Sequence, residues 1–165
     1  MQTSGRQDAA GNAPIGSSAA GVSFVVHHLG IAVPDMEAAI RSYQEALGLV
    51  LVGGPVDDPI QRVRVCFLAS SPSSEVSLEL ISPLAGSSPI DQYLSKGVGA
   101  YHVCYRVADM PRALEHMRAA GCVLVSGPVP ATAFGGKPIA WLLLPSRQLV
   151  ELVEGGSVET RISGR

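Results

Sequence analysis

Four side chains able to bind a metal or move a proton recur in matched pairs along this sequence: His28 with His102, 74 positions on, and Glu79 with Glu151, 72 positions on. Each histidine sits in a short apolar run, Val26-His27-His28-Leu29-Gly30-Ile31-Ala32-Val33 and Ala100-Tyr101-His102-Val103-Cys104-Tyr105-Arg106-Val107. Each glutamate is flanked by apolar residues, in Leu78-Glu79-Leu80 and Val150-Glu151-Leu152. Successive strand residues point to opposite faces. His28 therefore shares a face with small Gly30 and Ala32, opposite Leu29, Ile31 and Val33, and His102 shares one with Cys104 and Arg106. Ionised carboxylates in such surroundings cost several kcal/mol each unless paired, and a divalent cation between them would offset that cost. Nitrogen and oxygen donors without thiolate suit Co, Mn, Ni, Zn or Fe, and four protein ligands leave octahedral positions open for water or substrate, as a catalytic site requires. Taken singly, a strand histidine is more often a hydrogen-bonded core residue and a strand glutamate is more often solvated. Two matched pairs in matched segments favour metal. His27 is expected on the helix side in a structural role, an exchange of His27 for His28 being the alternative.

The elements that must position these residues are themselves repeated. At the 74-residue offset Asp35 meets Asp109, Met36 meets Met110 and Ala39 meets Ala113; one deletion later, Gly48, Val50, Leu51, Val52, Gly54, Pro55 and Val56 meet Gly121, Val123, Leu124, Val125, Gly127, Pro128 and Val129. Such self-similarity identifies a duplicated unit. Asp35 and Asp109 are natural N-caps. Met36, Ile40, Tyr43 and Leu47, and Met110, Leu114 and Met117, recur at helical spacing and form buried helix faces. Strands follow at 49–52, 63–69 and 76–81, and at 123–125, 139–144 and 148–153. Each copy is thus a β-α-β-β-β module in an α+β domain, with the helix on one sheet face and the other face free to meet its twin or a ligand. Module one spans 25–84 and module two 99–154. Between them Ser88-Pro89-Ile90 offers the cap and first-turn proline of a connecting helix over 87–97. Residues 1–22, rich in Gly, Ala and Ser, read as a flexible tail and 156–165 as a C-terminal one, leaving 23–155 as a single domain.

Composition narrows the partners. At 165 residues the chain has room for one domain, and 47% apolar with 16% charged residues describes a chain with a real core. Twelve basic and fourteen acidic side chains leave a formal charge of -2 with no basic cluster, which argues against nucleic acid. No run reaches the roughly 18 to 20 apolar residues that span a bilayer, and the N-terminus does not read as a secretory signal. Cys66, Cys104 and Cys122, an odd number inside apolar runs, suggest buried reduced thiols in a cytoplasmic protein.

Over residues 25–154 the chain resembles the vicinal oxygen chelate superfamily, which includes glyoxalase I, extradiol dioxygenases, antibiotic-binding resistance proteins and methylmalonyl-CoA epimerase. The likeness to the epimerases is carried by His28-Leu29-Gly30-Ile31-Ala32-Val33-Pro34-Asp35, Glu79-Leu80-Ile81-Ser82-Pro83-Leu84, Ser88-Pro89-Ile90 with Leu94, Gly135-Gly136-Lys137-Pro138 and Leu149-Val150-Glu151-Leu152. The resemblance implies two modules forming a curved, incompletely closed mixed barrel. It implies metal ligation by His28, Glu79, His102 and Glu151, and homodimers, to which exposed sheet edges are suited. It also implies an isomerase that removes and returns the proton beside a thioester carbonyl, on an acyl-CoA or a related small carbonyl acid. Glu151 is the leading candidate for moving the proton. Some bacterial epimerases carry a second catalytic Glu where this chain has Val65, so another group must serve the second face or the substrate must differ. Gly136 and Lys137 are candidate substrate contacts, since a glycine loop lets backbone approach a ligand and lysine meets phosphate or carboxylate; a plain hairpin loop is the alternative. The other functions open to this family are a lactoylglutathione lyase-type enzyme, a metal-free small-molecule-binding protein of the antibiotic-resistance type, and a ring-cleaving oxygenase.

Overall fold

The computed structural model describes residues 21–155. Module one runs β1 (Val25–Ala32), α1 (Met36–Leu47), β2 (Val50–Asp58), β3 (Val63–Ala69) and β4 (Ser77–Pro83). A five-residue helix, α2 (Asp91–Ser95), leads to module two: β5 (Ala100–Val107), α3 (Met110–Ala119), β6 (Val123–Pro130), a 3-10 turn (Thr132–Phe134), β7 (Pro138–Leu143) and β8 (Leu149–Glu154). The eight strands form one mixed, unclosed sheet in the order β2-β3-β4-β1-β5-β8-β7-β6. The modules join through antiparallel β1 and β5, while β1–β4 and β5–β8 are parallel pairs. The duplication read from the sequence is therefore a duplication of topology about the β1–β5 seam.

Each helix starts where an aspartate satisfies an otherwise orphaned backbone donor. Asp35 accepts from the Ala38 N–H at 2.8 Å and Asp109 from that of Arg112 at 2.9 Å. Met36 and Ile40 of α1 pack on Val33, Cys66, Leu68 and Leu80, and Met110, Ala113, Leu114 and Met117 of α3 pack on Val107, Leu142, Val150 and Leu152. Both helices thus cover one face. The opposite, inner face gathers a third cluster that includes Ala32, Val65, Phe67, Cys104, Phe134 and Ile139. The sheet curls around it far enough for Asp58, at the end of edge strand β2, to accept the Thr132 N–H beyond the other edge strand at 2.8 Å.

Several expectations change. Leu47 is 63% exposed, because α1 ends at Gly48 before its last apolar residue reaches the sheet. Strands β2 and β6 continue to Asp58 and Pro130, well past Val52 and Val125, through irregular pairing around Gly54 and Gly127. A Cβ at Gly54 would lie 2.6 Å from the Val65 carbonyl oxygen and one at Gly127 2.5 Å from that of Ile139, so the strands approach too closely there for a side chain. The connecting helix is shorter than 87–97, and its start is held by the Asp91 carboxylate accepting the Ser88 N–H at 2.8 Å. Val22, assigned by sequence to the tail, packs with Phe24 against the α3 side of module two. The remainder of both tail assignments, 1–20 and 156–165, lies outside the described residues. Among the described residues no helix is long and apolar enough to cross a membrane.

Candidate metal centre

Strand register builds the site as two parallel rows across the inner face. In one row Phe67 on β3, Glu79 on β4, Gly30 on β1 and His102 on β5 are successive neighbours. In the other, His28 on β1, Cys104 on β5, Glu151 on β8 and Trp141 on β7 are successive neighbours. Each row has one histidine, one glutamate, one aromatic residue and, between its two polar members, a small residue. Exchanging the modules turns one row into the other. Gly30 and Cys104 leave the room into which the imidazoles of the facing strand lean.

The four polar side chains converge. His28 Nε2 lies 3.1 Å from Glu79 Oε2 and 3.1 Å from Glu151 Oε2, while His102 Nε2 lies 3.6 Å and 3.5 Å from the same oxygens. The two Nε2 atoms are 3.1 Å apart. All four residues are buried, His28 completely. Aromatic edges hold the rings: Phe67 meets His28 with centroids 5.5 Å apart, and Trp141 meets His102 at 4.8 Å.

The electrostatics follow from this crowding. Burial acts to lower the His28 pKa, but the Cys104 sulfur and the carboxylates of Glu79 and Glu151 more than reverse it and leave His28 well above its usual range. Burial acts to raise the Glu151 pKa, and the His102 and His28 imidazoles overcome it, holding the carboxyl well below the usual range. Burial pushes the Cys66 thiol up to about 12 and raises that of Cys104 as well.

These residues fit a divalent ion. Their donor atoms lie within 4.8 Å of one another, and donors held about 2.1 Å from one centre at right angles stand about 3 Å apart. Although Glu151 Oε2 is close to His28 Nε2, it is buried without a well-formed hydrogen bond. Buried polar atoms without partners are costly, and an ion among the four would satisfy this one.

The glutamates form part of the wall of a cavity of about 360 Å³, with Val65, Tyr101, Phe134 and Trp141 among its other lining residues. Among the described lining residues Arg62 is the one Lys or Arg, and the carboxylates are those of Asp58, Glu79 and Glu151. Lys137 and Gly136 do not line it; the Lys137 ammonium instead lies beside Gly155, 3.3 Å from where a Cβ there would be. Nor does His27 face the helices. The β1–β5 register shifts between Val26 and His28, which breaks the alternation, and the His27 ring packs edge-on to Phe134 and Phe67 on the inner side. The aromatic members of the rows were not singled out from sequence. The signal was there, since Phe67 and Trp141 are themselves 74 positions apart.

Comparison with known proteins agrees with this architecture. Residues 27–141 match the family model for the glyoxalase/bleomycin resistance protein/dioxygenase superfamily. The chain is 37% identical over 119 residues to the ethylmalonyl-CoA/methylmalonyl-CoA epimerase of Cereibacter sphaeroides, covering 71% of this chain and 86% of that one. The crystal structure of methylmalonyl-CoA epimerase from Mycobacterium tuberculosis superposes with a TM-score of 0.68 at 33% identity, covering 81% of this chain and 89% of that one. A variant of the Streptomyces coelicolor methylmalonyl-CoA epimerase in complex with 2-nitronate-propionyl-CoA superposes with a TM-score of 0.69 at 27% identity, covering 83% and 99%. With more than half its length matched by the family model and a relative at this level of identity, the chain belongs to the glyoxalase/bleomycin resistance protein/dioxygenase superfamily.

Proposed function

We propose that the protein is a metal-dependent epimerase that inverts the α-carbon of a branched malonyl-type acyl-CoA, with His28, Glu79, His102 and Glu151 as the metal ligands. The observation that carries this reading is the convergence of those four side chains, two of them carboxylates lining an otherwise largely apolar cavity. Support for the substrate class comes from the relatives, which are acyl-CoA epimerases.

A divalent ion there would supply Lewis-acid stabilisation of the charge that develops on the thioester carbonyl oxygen when the α-proton leaves. Glu151 has the position and the chemistry to move that proton: it lines the cavity, and a carboxylate that binds through one oxygen keeps a second for the exchange. Phe134, Trp141 and Tyr101 give the cavity aromatic walls beside the glutamates. Burial, with the neighbouring Glu79 and Glu151, holds the Tyr101 phenol well above its usual pKa, so it stands in the cavity as a neutral hydrogen-bond donor. Val65, also in the lining, offers no charge and leaves that wall apolar. Three free, buried thiols support a reducing, cytoplasmic location, and the edges of β2 and β6 support pairing into a homodimer.

The test is α-proton exchange. The protein incubated in D₂O with each isomer of methylmalonyl-CoA or ethylmalonyl-CoA is expected to introduce deuterium at the α-carbon and to interconvert the isomers, with both activities lost on chelation. Absence of exchange with either thioester, under conditions where a thiohemiacetal is turned over, would replace this reading with a lyase.

A further inference from the structure

His27 Nδ1 and His28 Nδ1 are 2.9 Å apart, and a hydrogen bond at that distance needs one ring to donate and the other to accept. The site decides which. His28 Nε2 is turned into the cluster, 3.1 Å from both glutamates, so an ion held there uses the lone pair on Nε2 and leaves the ring hydrogen on Nδ1. Nδ1–H then points at His27 Nδ1, which accepts while carrying its own hydrogen on Nε2. The break in alternation at the start of β1 is what brings adjacent residues to the same side. Phe134, 5.5 Å from the His27 ring centroid at 86°, and Phe67, at 6.3 Å and 85°, fix the angle of the ring.

The second module solves the same problem differently. By the 74-residue offset Tyr101 stands where His27 does, and it meets His102 through ring contact alone, centroids 4.6 Å apart at 70°. His102 Nδ1 is buried with no hydrogen-bond partner. The modules therefore differ at this position: the outer nitrogen of His28 has a ring nitrogen beside it, and that of His102 has no partner.

We infer that His27 is a positioning residue for the divalent ion, fixing the tautomer and ring orientation of His28 by accepting a hydrogen bond from its Nδ1–H. A partner on the outer nitrogen raises the basicity of a ligating imidazole, and removal of such partners typically weakens metal affinity about 10- to 100-fold. The inference rests on the four-residue metal reading proposed above and deepens it.

Cobalt(II) affinity, measured by chelator competition on metal-stripped full-length protein, tests it. His27→Phe keeps a ring against Phe134 and Phe67 but has no acceptor. His27→Asn places an amide oxygen close to the lost nitrogen. His27→Phe is expected to bind cobalt about 10- to 100-fold more weakly, His27→Asn to recover most of the loss, and both to melt without metal near wild type; His27→Leu serves in place of the phenylalanine if that variant does not fold. Wild-type affinity in the acceptor-less variant would overturn the inference alone, as would equal losses in both variants. A wild-type protein that takes up no cobalt would overturn the metal reading and this inference with it.

Discussion

The imidazole of His102 occupies the space that Gly30 leaves open on the neighbouring strand: a Cβ at residue 30 would fall 1.8 Å from its Cε1 and 2.2 Å from its Nδ1. Gly30 is thus required by a side chain 72 positions away, not by its own backbone. Gly30→Ala must displace the ring from the place it holds beside the glutamates. The variant is expected to lose metal binding by at least tenfold and to be about 1–3 kcal/mol less stable from overpacking. Thermal melts with and without added cobalt check both effects.

Glutamate substitutions separate holding from reacting. Glu79→Ala and Glu151→Ala each remove a carboxylate that sits 3.1 Å from His28 Nε2, and both are expected to lose metal. Glu151→Gln keeps an oxygen donor but takes up no proton. It is expected to retain more metal than turnover, with kcat down by about 10²- to 10⁴-fold; parallel elemental analysis and rate measurement distinguish this from simple loss of the ion.

Protons compete with the ion. His28 is raised above its ordinary 6.5 in the folded metal-free protein, so its contribution to stability is complete below 6.5 and is lost as pH rises through the elevated folded value. Glu151 is depressed below 4.5, so its contribution is present above 4.5 and is lost as pH falls through the depressed folded value. The metal-free protein is therefore expected to gain most from this cluster between these limits. Uptake of a divalent ion at neutral pH is expected to release about one proton, as His28 gives up its own. Calorimetric titration in buffers of different ionisation enthalpy measures that number, and zero release would contradict the assignment of His28.

Much of this was legible in the residues because duplication makes each signal appear twice. Asp35 and Asp109 predicted their helices, and both cap. His28 and His102, Glu79 and Glu151 were placed on the inner face by alternation alone, and the structure brings them together. Alternation failed at His27, where a register shift that has no local sequence signature puts two consecutive residues on one side. The lengths of β2 and β6 were also hidden, since Gly54-Pro55 and Gly127-Pro128 read as strand ends yet sit inside strands that pair irregularly around them. Loop composition singles out Lys137 as a substrate contact but does not say where the loop falls relative to the cavity, which tertiary packing sets.

The proposed chemistry requires one ion held by both modules at once. A crystal structure of the protein loaded with cobalt, with anomalous scattering recorded at the cobalt edge, should show a single site bonded to Nε2 of His28, Nε2 of His102 and a carboxylate oxygen from each of Glu79 and Glu151. Cobalt bound instead through His27 and Cys104, or no ordered ion at the end of the cavity, would contradict it.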